Sequence, residues 1–96
     1  MIAVFGDDAA ADIFHGENTK AARRIPLAIW KTACRKLDML NAAHELRDMA
    51  IPLGNRLEAL RGSLAGYHSI RINDQFRIVF RWKDGNAYEV RITDYH

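Results

Sequence analysis

The sequence predicts an α+β fold in which two N-terminal helices pack on one face of a twisted, mainly antiparallel sheet. Three observations lead there. Residues 66–96 alternate apolar and polar side chains about two tight-turn signals, an earlier stretch carries apolar residues at helical spacing, and most strands follow the helices rather than interleave with them. Ninety-six residues suffice for one domain with one core, burying roughly 60–65% of the unfolded chain's surface without staples.

Residues 2–5 are a short apolar run closed by Gly6 and read as an edge or central strand of that sheet. Asp7 or Asp8 then caps a short helix over residues 9–14. Ile13 and Phe14 give it an apolar side, His15 belongs to its last turn, and Gly16 ends it. The polar residues 17–20 lead to Ala21, Ala22, Arg23 and Arg24. The longest helix starts near Pro26, acceptable in a first turn, and runs to Ala43 or His44. Its inward stripe is Leu27, Trp30, Ala33, Cys34, Leu37, Leu40 and Ala43. Lys31 and Arg35 lie one turn apart on its outer face, where they serve a solvated helix surface or an RNA contact. Pro52 and Gly54 close a connection over residues 46–53, residues 55–61 form a strand, and residues 62–66 loop into the last three strands. The order is β-α-α-β-β-β-β.

Because successive side chains of a strand point to opposite faces, the alternation sets the register. One face takes Ile70, Ile72, Phe76, Ile78, Phe80, Trp82, Tyr88, Val90 and Ile92. For Ile72 to lie opposite Phe76, the first turn holds Asn73, Asp74 and Gln75. By the same rule Trp82 faces Tyr88 across residues 83–87, with Asp84 and Gly85 supplying the positive-φ turn. The other face then receives Ser69, Arg71, Arg77, Arg81, Glu89, Arg91, Thr93 and Tyr95. Arg71 falls opposite Arg77, and Arg77 opposite Thr93. Directly opposed like charges are destabilising by about a few tenths of a kcal/mol, and an anion held between them removes the penalty. Arg81, Glu89 and Arg91 read as an ordinary solvated charge ladder.

The formal net charge is only +2, but ten of the fourteen basic residues are arginine, the side chain suited to bidentate phosphate contact. The lone Cys34 forms no internal disulfide and reads as a buried structural thiol. With no basic leader and no long apolar run, a cytoplasmic protein without a membrane span is expected. The histidines at 15, 44, 68 and 96 share no metal-ligand spacing, so no metal or other cofactor is expected. Neither a Gly-rich phosphate loop nor a Ser-His-Asp signature is present.

A basic strand face ending in Tyr-His suits metal-free RNA cleavage, in which a 2′-OH attacks the adjacent phosphate. That chemistry needs a base for the hydroxyl, cations for the phosphorane-like charge and an acid for the leaving oxygen. Arg71 and Arg77 supply the cations. His96 titrates near neutral pH, Tyr95 donates a hydrogen bond or stacks on a base, and Glu58 is the other candidate base.

Three stretches carry a more specific signal. Arg56-Leu-Glu-Ala-Leu-Arg-Gly62, the run from Gly66 through Ser-Ile-Arg-Ile-Asn and Phe-Arg to Trp82, and the terminal Asp94-Tyr-His96 closely resemble the HigB branch of the RelE-like toxins, including GraT-type toxins. The likeness covers nearly the whole chain. It implies a microbial ribonuclease-like fold and a toxin that enters the A site of the small ribosomal subunit and cuts mRNA there without metal. It also implies a helix-turn-helix antitoxin of the HigA or GraA kind, a heterotetrameric complex, and repression of the shared operon through operator DNA. By position, Arg71, Arg77, Tyr95 and His96 would be functional, with Asp94 close by and Arg61 at a position that contacts RNA in relatives. Some members carry histidine where this chain has Glu58, which leaves the general base open between Glu58 and His96. The alternative reading is a non-catalytic RNA-binding or regulatory subunit that acts with the antitoxin.

Overall fold

The structure, a computed structural model, describes residues 1–94, so the expectations for Tyr95 and His96 lie outside the described residues. Helix α1 spans Asp8–Phe14, and the Asp7 carboxylate accepts from the Ala10 amide at 2.8 Å, which makes Asp7 the cap. Gly16, at φ +72°, takes the left-handed conformation that ends the helix. Helix α2 spans Trp30–Ala42. The turn expected to open it, Leu27–Ile29, is a 3₁₀ segment. Its tighter winding rotates Leu27 off the inward stripe, leaving that side chain 71% exposed, and Trp30 Nε1 instead ties the corner by donating to the Ile25 carbonyl at 2.8 Å.

Four strands, β1 (Glu58–Ala59), β2 (Tyr67–Arg71), β3 (Phe76–Lys83) and β4 (Asn86–Asp94), form a sheet in the order β1-β2-β3-β4, antiparallel throughout. β1 is much shorter than the expected strand over residues 55–61. A 3₁₀ turn occupies Leu53–Asn55, and Arg56 sits at φ 45°, a left-handed backbone that no extended strand passes through. The expected N-terminal strand is likewise reduced to two isolated parallel bridges on the outer edge of β4, Ile2 with Ala87 and Phe5 with Val90.

One irregularity explains both that interruption and a change of register. Val79 pairs with Arg91 but Arg81 pairs with Tyr88, so two β4 residues oppose Phe80, and Glu89 takes φ 53° in the bulge. The extra residue reverses the alternation. Ala87 and Val90, three apart, are therefore both fully buried, while Tyr88 moves to the side of Arg81. The expected Trp82–Tyr88 pairing is thus corrected to Trp82–Ala87, and Lys83 pairs with Asn86. Only Asp84 and Gly85 remain in the turn, at φ 51° and 81°, the geometry of a two-residue type I′ hairpin. The bulge also crowds the edge. A Cβ on Gly6 would lie 2.7 Å from the Glu89 carbonyl oxygen, so only glycine lets the N-terminal segment donate from Gly6 to Val90 at 2.7 Å.

Both helices lie against one face of the sheet. Ala9, Ala10 and Ile13 of α1 and Ala33, Leu37 and Leu40 of α2 meet Ile70, Ile78, Phe80, Ala87 and Val90 in one core. Each large side chain buried there contributes about 1.5–3 kcal/mol, enough to fix the sheet as a platform for the opposite face. Among the described residues no helix is long and apolar enough to cross a membrane.

Candidate active site on the polar sheet face

Two adjacent strands set the cations of the site. Arg71 ends β2 and Arg77 stands second in β3, directly opposite it; Thr93 faces Arg77 from β4. The turn between them is held by Asn73, whose Oδ1 accepts from the amides of Gln75 at 2.9 Å and Phe76 at 2.7 Å. Register and turn therefore place the two arginines at directly paired positions of neighbouring strands.

The environments of the two differ. Arg77 is only 8% exposed. Its Nε donates to Ser69 Oγ at 2.8 Å, its Nη2 donates to the Arg56 carbonyl at 2.6 Å, and its Nη1 lies 3.9 Å from Glu58 Oε1. Ser69 has no exposed surface, and Glu58 stands opposite it on β1, so β1 and β2 together form the seat of this guanidinium. The left-handed turn at Arg56 is what presents the carbonyl to it. Arg71, about one-third exposed, pairs through Nη2 with the Asp74 carboxylate in its own turn. Asp94 at the end of β4 accepts from Gln75 Nε2 at 3.0 Å, which brings the last described residue to the same corner.

Lys36 was not expected here. It sits on the inward side of α2, 7% exposed, and its Nζ donates to the main-chain carbonyl of Arg71. Burial holds its pKa below the usual lysine value, and the charges of Arg35, Arg71 and Arg77 push it the same way. A signal existed in the sequence, since Lys36 falls between Ala33 and Leu40 on the apolar stripe, where a charge needs a reason.

The other candidates stand apart. Lys31 and Arg35 are exposed on the outer side of α2, and Arg61 is exposed at the turn after β1. Among the described residues no hydrogen bond or ion pair joins them to Arg71 or Arg77, although the charge of Arg35 reaches Lys36.

Further along the same face, Tyr67 organises a second cluster. Its hydroxyl donates to Glu89 Oε1 at 2.9 Å, and the guanidinium carbons of Arg81 and Arg91 lie 4.8 Å and 5.3 Å from its ring centre. Arg81 pairs with Glu89 at 3.6 Å with both side chains about half exposed, which agrees with a charge ladder. Arg91 departs from it by stacking on Tyr67, its Nε buried without a hydrogen-bond partner among the described residues. A cleft of about 540 Å³ opens beside this cluster, lined by Val4, Arg81, Trp82 and Tyr88 among others, and does not include the Arg71–Arg77 corner. Cys34 is half-buried, and burial with the nearby Asp38 carboxylate raises its thiol pKa, which favours the inert protonated form.

Comparison with known proteins bears on the family and the fold. A family model described as the RelE-like toxin HigB of type II toxin–antitoxin systems matches residues 4–96. Toxin HigB-1 of Vibrio cholerae serotype O1 is 48% identical over 71 residues, covering 74% of this chain and 75% of that protein. Endoribonuclease HigB of Proteus vulgaris is 32% identical over 66 residues, covering 62% of this chain and 72% of that protein. Among solved structures, a YafQ mutant from E. coli superposes with a TM-score of 0.66 over 99% of this chain and 94% of its own, at 12% identity, a likeness of fold.

Proposed function

We propose that this chain, which belongs to the HigB-like family of RelE-like toxins of type II toxin–antitoxin systems, is an endoribonuclease that cuts translated mRNA in the ribosomal A site. The observation that carries the reading is the direct opposition of Arg71 and Arg77 on the sheet face away from the helices. The single negative charge of a phosphodiester between them offsets their mutual repulsion, and the charge that develops on the phosphorane is larger, so the pair acts most strongly in the transition state. The protein contacts of Arg77 fix its guanidinium before substrate arrives, which avoids reorganisation at the moment of reaction. The name of the Proteus relative supports the same chemistry.

In this reading the 2′-OH attacks the neighbouring phosphorus in line, forming a cyclic phosphate and releasing the 5′-oxygen. Glu58 or His96 takes the hydroxyl proton, and Tyr95 or His96 serves the leaving oxygen. Asp94 orders the corner, and Arg61, Lys31 and Arg35 are candidate contacts to the RNA backbone. With a formal net charge of only +2, the free protein has little general attraction for RNA, so the ribosome positions the strand.

As a member of a type II system the toxin has an antitoxin partner. A helix-turn-helix antitoxin, a heterotetrameric complex and operator binding through the antitoxin complete the proposal. The deciding experiment maps 5′ ends on a translated mRNA with and without ribosomes. Cuts confined to translated codons support the reading. Equal cutting of naked RNA overturns the ribosome requirement, and no cutting with growth arrest retained overturns the nuclease.

A further inference from the structure

We propose that Lys36 is a third cation of the phosphate site, a positioning residue that acts through Arg71 rather than by touching the reacting atoms. The inference rests on the reading of Arg71 and Arg77 as phosphate ligands. Two independent features of the fold support it. First, the Lys36 ammonium is almost fully enclosed, and among the described residues its one hydrogen-bond acceptor is the Arg71 carbonyl. It therefore fixes the last peptide of β2, the one from which the Arg71 side chain departs. Second, no carboxylate pairs with Lys36 among the described residues, whereas the charges that act on it are all positive. Those are Arg35 on its own helix, Arg71 at the end of β2 and Arg77 near the start of β3. The Asp74 carboxylate in the intervening turn is engaged with Arg71.

A largely buried ammonium under the positive charge of Arg71 and Arg77 is unfavourable in the free protein, because no carboxylate among the described residues pairs with it. Docking of a phosphate reverses the balance, since the anion interacts with all the cations at once. The arrangement is thus matched to the occupied site. Burial also keeps water from screening the lysine, so its charge is felt more strongly by a phosphate than that of an exposed residue at similar range.

The test uses the full chain, freed from its antitoxin after co-expression, with its lysine side chains isotopically labelled for NMR. Lys36 is titrated with and without inorganic phosphate, with chloride at equal ionic strength as control. Phosphate is expected to raise the Lys36 midpoint by about one unit, and by linkage neutralising the residue then weakens phosphate binding about tenfold. Lys36→Met, of similar length and uncharged, should show that tenfold loss, and Lys36→Arg should restore most of it. A purely structural lysine would show no response to phosphate. An unmoved midpoint, or wild-type phosphate affinity in Lys36→Met, overturns the proposal. Should Lys36→Met fail to fold, the titration of the unaltered protein decides alone. Because neither readout needs RNA cleavage, a shifted midpoint without nuclease activity would sink the nuclease reading and leave the three-cation anion site standing.

Discussion

Arg71 and Arg77 face each other directly across β2 and β3, yet Arg77 is seated on Ser69 and the Arg56 carbonyl while Arg71 is held by a carboxylate of its own turn. One guanidinium is part of the buried structure. The other is a partly exposed arm whose counter-ion a phosphate can displace.

The two alanine variants should therefore separate stability from activity. Arg71→Ala is expected to lower cleavage by about 100-fold or more while changing stability by less than about 1 kcal/mol, as for an exposed ion pair. Arg77→Ala should lose comparable activity and also destabilise by about 1–3 kcal/mol, because Ser69 Oγ and the Arg56 carbonyl lose their donor. Urea unfolding and mapped cleavage of translated mRNA measure the two effects. Near-normal cleavage by both variants removes the shared-phosphate idea.

Gly6→Ala tests the bulge. A methyl group there would meet the main chain of Glu89 at 2.7 Å, and backbone cannot swing aside as a long side chain does. The variant is expected to lose about 1–3 kcal/mol through displacement of the N-terminal edge. An unchanged urea midpoint would show that this edge is not tightly held against β4.

The β2–β3 hairpin was legible in the sequence because alternation and an Asn-Asp-Gln turn agreed on one register, which put Arg71 opposite Arg77 as found. Legibility failed at Glu89 for a definite reason. A bulge adds one residue without changing composition, so Tyr88 and Trp82 looked like a core pair although the bulge sends them to different rows. Arg56 failed similarly, since a left-handed arginine has no marker in sequence and ended the expected strand early. Lys36 was visible as a charge on an apolar stripe, but the carbonyl that accounts for it lies 35 residues away in the chain. Long-range partners of that kind are supplied by the fold.

Acid stability should depend on His68. The imidazole stacks on Phe80 at 6.1 Å, its Nδ1 is buried without a hydrogen-bond partner among the described residues, and burial lowers its pKa. The unfolded chain then binds this proton more readily than the folded one. Stability from the neutral imidazole is complete above the ordinary histidine value of about 6.5 and declines as pH falls from there through the lowered folded value. His68→Phe should flatten that part of a plot of urea midpoint against pH. A wild-type slope in the variant would assign the acid loss to other groups.

The final prediction divides the proton-transfer roles between Glu58 and the terminus. Glu58 Oε1 lies 3.9 Å from Arg77 Nη1, and its side chain is about half exposed, so the carboxylate is close to the site and open to substrate. As general base, it would lose nearly all function when replaced by its amide, which keeps the shape but cannot accept the proton. His96, two residues beyond Asp94 in the sequence, is the competing candidate for that role, because an imidazole side chain can both accept and donate a proton. Deleting Tyr95 and His96 is expected to abolish cleavage, and Glu58→Gln to reduce it only about tenfold through loss of the contact that helps seat Arg77. Single-turnover cleavage on stalled ribosomes, measured across pH for both variants, makes the assignment. A truncated chain that still cuts, together with an inactive Glu58→Gln, would exchange the two roles. If both variants retain activity, neither group is the base.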